Sequence, residues 1–427
     1  MTSFHASSLC GFVIISIGMM VLPRPVHAEA RAPATLRIPE QIFAGEPRGR
    51  YETGTFEELW INTALADPST ADPTDKRKVM VQVWYPAAVP RNAKRAPYVL
   101  NPQLYSKDHW LHQVEHVRTQ SFLNAPLTAS DEAFPILIYN HGNGQPHFSG
   151  TFQTEFLASQ GYVVVAIGHP GSSGIERFPD GTTYENDGLK WNAERPQTSN
   201  SRDEPFGREG VEYGFTHSDL SLFVKDISFV LDRLTQLATD PKSRFYRRID
   251  LQRVGAWGWS LGGLQALQAA RDDERVRAAA NLDGWPHGLA GPQGVVTLGS
   301  ERPVMLMFNP ANGGPRVPGP PGGEVSVGEV ESSYAASTYF WTLLRRTAAD
   351  WYHVTVARTN HGSFSDLPLF EPVAPKNLHP RAAHAIVNAY TLAFFDRYVR
   401  GDVASTSLLS GDGAYPEVTL LRRKTAE

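Results

Sequence analysis

Serine, aspartate and histidine occur along this chain in an order and in surroundings suited to nucleophilic acyl transfer. Residues 254–263, Val-Gly-Ala-Trp-Gly-Trp-Ser-Leu-Gly-Gly, read as a short apolar strand running into a tight turn and a helix. The turn carries Gly258-x-Ser260-x-Gly262. In that pattern glycines permit a strained strand-to-helix turn that lifts a serine hydroxyl above the carboxyl end of a sheet. Gly fills 36 of 427 positions, so a bare match is not rare; the apolar strand before it and the amphipathic pattern after it distinguish this one. A serine hydroxyl is a weak nucleophile that needs a base in hydrogen-bond reach, and the base needs an orienting carboxylate. On such a sheet the expected order is Ser, acid, His, each after a strand. Asp283 ends the apolar strand 276–282 that follows the elbow helix, and His361 follows the strand-like segment 352–357. Asp350 and Asp366 compete for the acid role, Asp366 lying close in sequence to the candidate base. His353, His379 and His384 are rival histidines, the first in mid-strand and the others in or before a helix.

The oxyanion of a tetrahedral intermediate needs two backbone N–H donors. One is expected at Leu261, the residue after the nucleophile. The other is expected at Asn143, in the loop His141-Gly142-Asn143-Gly144 that follows the apolar run 134–139. Trp259, Trp285 and Phe364 are expected to face the substrate. Further apolar residues on loops of that edge are Phe148, Trp191, Phe206 and Leu367; Arg177, Lys190, Arg195 and Arg316 read equally as a leaving-group site or a solvated rim.

One metal pattern competes. His112-Gln113-Val114-Glu115-His116 places two histidines four apart with a glutamate between them, a short zinc signature. A zinc site needs a third protein ligand, and none stands out downstream, so a polar helix face is the preferred reading and no metal or cofactor is expected. No phosphate loop or dinucleotide fingerprint occurs. A net charge of −4 and pI near 6.4 argue against a nucleic-acid partner.

These residues need a scaffold. Segments 53–62 and 79–85 read as an antiparallel strand pair at a sheet edge, followed by a helix near 107–120. Strand 134–139, helix 152–160 and strand 162–167 have the spacing of a right-handed parallel crossover. A helical period spans 217–237, strands are expected at 253–258, 276–282, 303–308 and 352–357, and helices at 334–348 and 382–398. Alternation of strands and helices implies an α/β fold around a mostly parallel sheet. Residues 171–215 and 309–330 read as long loops.

At the amino end, Gly11–Leu22 is a 12-residue apolar run followed by Val26-His27-Ala28, a small-x-small cleavage pattern. Residues 1–28 are expected to be a signal peptide, 29–52 an arm and 53–427 the catalytic domain, in a protein that is secreted or periplasmic. An uncleaved anchor is the alternative, since residues 2–10 carry no Lys or Arg. The single cysteine, Cys10, lies inside this segment, so the mature chain would hold no disulfide or thiol nucleophile.

Gly258-Trp259-Ser260-Leu261-Gly262-Gly263, Asn281-Leu282-Asp283-Gly284-Trp285 and Asn360-His361-Gly362-Ser363-Phe364-Ser365-Asp366 resemble the platelet-activating-factor acetylhydrolase family of α/β hydrolases, meaning the plasma and type II enzymes and their bacterial relatives. Val83-Trp84-Tyr85-Pro86, Asn140-His141-Gly142-Asn143-Gly144 and 161–166 add to the likeness, which covers roughly residues 53–400. It implies an α/β-hydrolase fold and calcium-independent hydrolysis of short or oxidised acyl groups from phospholipids. The triad would be Ser260, Asp283 and His361, with Asn143 and Leu261 as oxyanion donors. The substrate would be a small-molecule or lipid ester, a lipid bringing peripheral membrane contact. Asn143 stands where the animal enzymes carry an apolar residue, and loops 171–215 and 309–330 look particular to this chain; both bear on the substrate. A general carboxylesterase or polyesterase, a serine peptidase of the same fold and a binding protein without activity remain as alternatives. Oligomeric state is not legible.

Overall fold

The structure, a computed structural model, describes residues 49–423 apart from 69, 71, 106–113, 116, 186–218, 287, 314–337, 371–372, 404–406 and 412. The strands are β1 (Glu52–Ala66), β2 (Lys76–Ala87), β3 (Arg95–Pro97), β4 (Arg118–Leu123), β5 (Phe134–Asn140), β6 (Val163–Ile167), β7 (Ile175–Arg177), β8 (Thr183–Glu185), β9 (Ile249–Trp259), β10 (Val276–Leu282), β11 (Val304–Phe308), β12 (Trp351–Val356) and β13 (Val418–Arg422). The longer helices are α1 (Thr151–Ser159), α2 (Ser221–Thr239), α3 (Leu261–Asp272) and α4 (Pro380–Phe395); residues 338–346 are also helical.

Eleven strands form one sheet in the order β13-β12-β11-β10-β9-β5-β6-β2-β1-β4-β3. Strands β6, β5, β9, β10, β11 and β12 run parallel. β2 pairs antiparallel with β6 and with β1, and β13 closes the other edge antiparallel to β12. Every residue of β5, β6 and β11 is buried, as strands covered on both faces must be, and this is why they read as unbroken apolar runs. Two apolar cores flank the sheet. One packs Phe223, Ile227 and Leu231 of α2 and Leu264 and Leu267 of α3 against Val254 and Ala256. The other packs Phe152 and Leu157 of α1 and Phe394 and Phe395 of α4 against Trp257 and Leu137. Each large side chain so buried contributes about 1.5–3 kcal/mol. This is the α/β-hydrolase architecture, extended beyond β6 by strands β2, β1, β4 and β3, which pair antiparallel except for β1 with β4.

Two expectations are corrected. The β1–β2 pair is not the edge, because β4 and β3 lie outside it. The helix expected near 107–120 does not extend to its end, since residues 118–123 are strand β4. There the buried Glu155 carboxylate of α1 accepts the backbone N–H groups of Gln120 and Ser121 at 3.0 and 2.7 Å, satisfying amides that the polar sequence gives no reason to place in a sheet. Residues 186–218 and 314–337, most of the two long loops, lie outside the described residues, as do the amino-terminal segment, His112 and His116. Among the described residues no helix is long and apolar enough to cross a membrane, and no group of three or more His, Cys, Asp or Glu could hold a metal ion.

Candidate active site

The parallel strands deliver their carboxyl ends to one edge, and the residues singled out in the sequence meet there. β9 ends at Trp259, and Ser260 follows with φ 56° and ψ −124° before α3 begins. A non-glycine residue in that region is strained, and the surrounding glycines make the turn feasible. A Cβ on Gly262 would lie 2.0 Å from the Asn140 carbonyl oxygen, and one on Gly258 would lie 2.3 Å from the Gly262 backbone. The Ser260 N–H donates to the Leu282 carbonyl at 2.9 Å, locking the elbow to β10.

Asp283 follows β10, also at positive φ (57°) and without exposure to solvent. Its Oδ2 accepts His361 Nδ1 at 2.7 Å. His361 Nε2 lies 3.1 Å from Ser260 Oγ. The three residues therefore stand in one chain of contacts, carboxylate to imidazole to hydroxyl. Sequence reasoning missed Asn309, the residue after β11. Its side-chain N–H donates to Asp283 Oδ2 at 2.7 Å and its backbone N–H to Oδ1 at 2.9 Å, so both carboxylate oxygens are held before His361 is counted. The available signal was its place just beyond the strand neighbouring β10.

The His361 segment is a single 3₁₀ turn, His361–Phe364, capped reciprocally by Asn360 and Ser363. Three further ties hold it. The Trp259 indole N–H donates to the His361 carbonyl at 2.9 Å. The Asp366 N–H donates to the Ser149 carbonyl. The Asp366 carboxylate accepts the N–H groups of Thr151 (2.8 Å) and Phe152 (3.1 Å) at the start of α1, and the Tyr98 hydroxyl (2.8 Å). A carboxylate at a helix amino end is well placed electrostatically, although burial pushes this carboxyl up to about 8 against its three donors.

Two substrate expectations need correction. Phe364 is 1% exposed and belongs to the hydrophobic core, because the 3₁₀ turn directs it inward. Trp259 is likewise buried; its ring packs on the His361 imidazole at 5.0 Å between centroids, and a Cβ on Gly142 would lie 2.7 Å from it. Both therefore shape the site from behind. Phe148 is buried too. Trp285 is half-buried two residues beyond Asp283, Leu367 is half-buried, and Arg177 lies over the Tyr105 ring at 6.0 Å. Trp191, Phe206, Lys190, Arg195 and Arg316 lie outside the described residues.

The rival groups have other partners. Asp350 accepts the Tyr398 hydroxyl at 2.6 Å and lies 3.6 Å from Arg397. His353 stacks on Trp341. His379 caps α4. His384 stacks on Phe152, bonds the Ser365 carbonyl, and is pushed by burial down to about 4.

In the loop after β5, Gly142 lies beside Ser260, its would-be Cβ 3.3 Å from Ser260 Cβ. Asn143 next to it is exposed, and the Gly144 N–H is tied to the Ser172 carbonyl at 2.7 Å. Leu261 is the first residue of α3, where helix N–H groups have no partner within the helix.

Comparison with known proteins agrees with this geometry. Residues 75–198 match the family model described as platelet-activating factor acetylhydrolase, isoform II, and residues 222–290 match one described as PET hydrolase-like. The chain is 26% identical over 180 residues to the platelet-activating factor acetylhydrolase of Canis lupus familiaris, covering 40% of this chain and 39% of that one. With the enzyme of Bos taurus it shares 25% identity over 201 residues, 43% and 44% of the two chains. The matched stretch thus spans less than half the length of either relative. A ferulic acid esterase from Streptomyces cinnamoneus has a similar structure, with TM-score 0.64, 26% identity and coverage of 90% of this chain and 99% of that one. Fold and comparisons together place the chain among the α/β hydrolases. Over the matched stretch its sequence is similar to the platelet-activating factor acetylhydrolases.

Proposed function

We propose that the chain hydrolyses carboxylic esters of short acyl groups, with Ser260 as nucleophile, His361 as base and Asp283 as orienting acid. The observation that carries this reading is the unbroken Ser260–His361–Asp283 contact, 3.1 and 2.7 Å, on a strained elbow. Ser260 Oγ attacks the ester carbonyl as its proton passes to His361 Nε2. The carbonyl oxygen becomes an oxyanion held by the N–H groups of Asn143 and Leu261, and Asp283 stabilises the imidazolium. Collapse expels the alcohol, which takes the proton from Nε2 and leaves an acyl-serine. Water then attacks that ester, giving its proton to Nε2; release of the acid returns the proton to Ser260 Oγ.

An ester is favoured over an amide because an amine leaves poorly without well-placed protonation. The named acetylhydrolase relatives support short acyl groups, among them those of phospholipids. The PET hydrolase-like match over the elbow and the ferulic acid esterase likeness support a second reading, esters of aromatic acids or polyesters. A chain-length series of p-nitrophenyl esters, run beside a feruloyl ester and a 2-acetyl phospholipid, separates them. Fastest turnover of acetyl and butyryl esters supports the first reading. An optimum at long acyl chains contradicts it, and selective turnover of the feruloyl ester favours the second.

A further inference from the structure

Two more histidines lie fully buried behind this edge, and neither takes part in the steps above. His141 precedes Gly142, and His169 stands two residues beyond β6. Their rings are 5.5 Å apart. The His169 backbone N–H donates to His141 Nε2 at 3.2 Å. A backbone amide can only donate, so Nε2 must be the bare nitrogen and the neutral ring carries its proton on Nδ1. Nδ1 lies 2.8 Å from the Gly142 carbonyl oxygen, to which it therefore donates. Burial, and His169 nearby, push the His141 imidazole down to about 3, in keeping with a ring that stays neutral.

That one bond has a geometric consequence. The C=O of Gly142 and the N–H of Asn143 belong to one planar trans peptide and point in opposite directions. Turning the carbonyl onto the buried ring turns the Asn143 N–H away from it. The Gln145 N–H shares the same carbonyl at 3.1 Å.

The acceptor side of the ring is anchored as firmly. Ser173 Oγ lies 3.1 Å from His141 Nε2. The His169 ring spans Asp226 Oδ2 and Asn140 Oδ1, 3.0 Å each. Asn140 Nδ2 donates to the Trp257 carbonyl of β9 at 3.1 Å, which fixes the amide's orientation. Burial alone would raise the Asp226 carboxyl, but Arg77 and His169 hold it below the ordinary aspartate range. Arg77 binds it through two nitrogens at 3.0 and 2.7 Å and also donates to the Pro170 carbonyl. A buried ion pair thus secures the segment from which His141 receives its bond.

We propose that His141 is a positioning residue for ester hydrolysis: its Nδ1–H tautomer, set by the backbone of His169, orients the Gly142–Asn143 peptide and so aims the Asn143 oxyanion donor. The proposal rests on the function given above.

Asn places its amide nitrogen near the position of His Nδ1, whereas Gln reaches toward Nε2. His141→Gln should lower kcat on an acetyl ester by about ten- to hundredfold with KM little changed, part of the hundred- to thousandfold that loss of a whole oxyanion donor costs. Its affinity for a trifluoromethyl ketone, which forms an oxyanion on the serine, should fall by a similar factor. His141→Asn should restore most of the rate. Equal losses in both variants, or a lower kcat with unchanged ketone affinity, would overturn the proposal. Should the variants not fold, long-range ¹H–¹⁵N correlation on the intact protein with labelled histidine decides. A neutral Nδ1–H ring from pH 5 to 8 supports the assignment, and an Nε2–H ring or titration in that range refutes it. Ser260→Ala is assayed in parallel. Turnover surviving in that variant would fail the functional reading itself, whereas the tautomer result bears only on His141.

Discussion

Replacing Asp283 by Asn separates orientation of the base from the space the side chain fills. The backbone there has φ 57°, which Asn tolerates better than most residues, so the change adds little backbone strain. The hydrogen bonds are another matter. Asp283 Oδ2 accepts two donors, His361 Nδ1 at 2.7 Å and Asn309 Nδ2 at 2.7 Å, while Oδ1 accepts the Asn309 backbone N–H at 2.9 Å. An amide keeping its oxygen at the Oδ1 position turns its NH₂ toward both of the others. His361 then retains a bond only by moving its proton to Nε2, and that nitrogen can no longer accept from Ser260. The same tautomer change in a serine protease lowers turnover about 10⁴-fold, close to 5 kcal/mol in the barrier. The donor facing Asn309 costs a further ~1–3 kcal/mol of stability for an unsatisfied buried group. The double variant Asp283→Asn, Asn309→Asp should recover that stability, since the new carboxylate accepts the amide, without recovering the rate. The assay is kcat on p-nitrophenyl acetate with unfolding followed in urea. An Asp283→Asn variant within tenfold of wild type would refute the reasoning.

Other outcomes follow from the same structure. Gly262→Ala should leave little or no folded, active protein, because its Cβ would meet the Asn140 carbonyl oxygen at 2.0 Å; expression and turnover measure this. His147 lies buried between Glu176 and Glu57; burial alone would lower it, but the two glutamates hold it up to about 9. Its folded pKa exceeds the unfolded value near 6.5, so its stabilisation is complete below ~6.5 and lost as pH rises through about 9. Urea unfolding from pH 6 to 10 should show that loss in wild type and a flatter profile in His147→Gln. Turnover should persist in chelator-containing buffer, and its loss there would revive the His112/His116 pair. We propose export as well: amino-terminal sequencing of protein recovered outside the cytoplasm should begin at Glu29, and a retained Met1 would indicate an anchor.

The central strands were legible because burial on both faces turns them into apolar runs, as in β5 and β10. The order Ser260, Asp283, His361 was legible because each residue follows such a run. The outer strands were not. β4 is polar and pairs with β1 only at Gly54 and Thr55, and β13 is largely exposed, so tertiary pairing rather than pattern defines them. Asn309 carries no motif; only the adjacency of β10 and β11 brings it to Asp283. Trp259 and Phe364 flank the motif residues in sequence, but the elbow and the 3₁₀ turn direct both inward, and sequence nearness does not say which way a side chain faces.

The most direct measurement is a comparison of intact protein with Ser260→Ala in hydrolysis of p-nitrophenyl acetate, with mass mapping of a fluorophosphonate adduct. The expected result is turnover by the intact protein, a single adduct on Ser260, and neither turnover nor adduct in a variant that still unfolds cooperatively. Labelling of another residue with Ser260 untouched, or turnover preserved in the folded variant, would contradict the account.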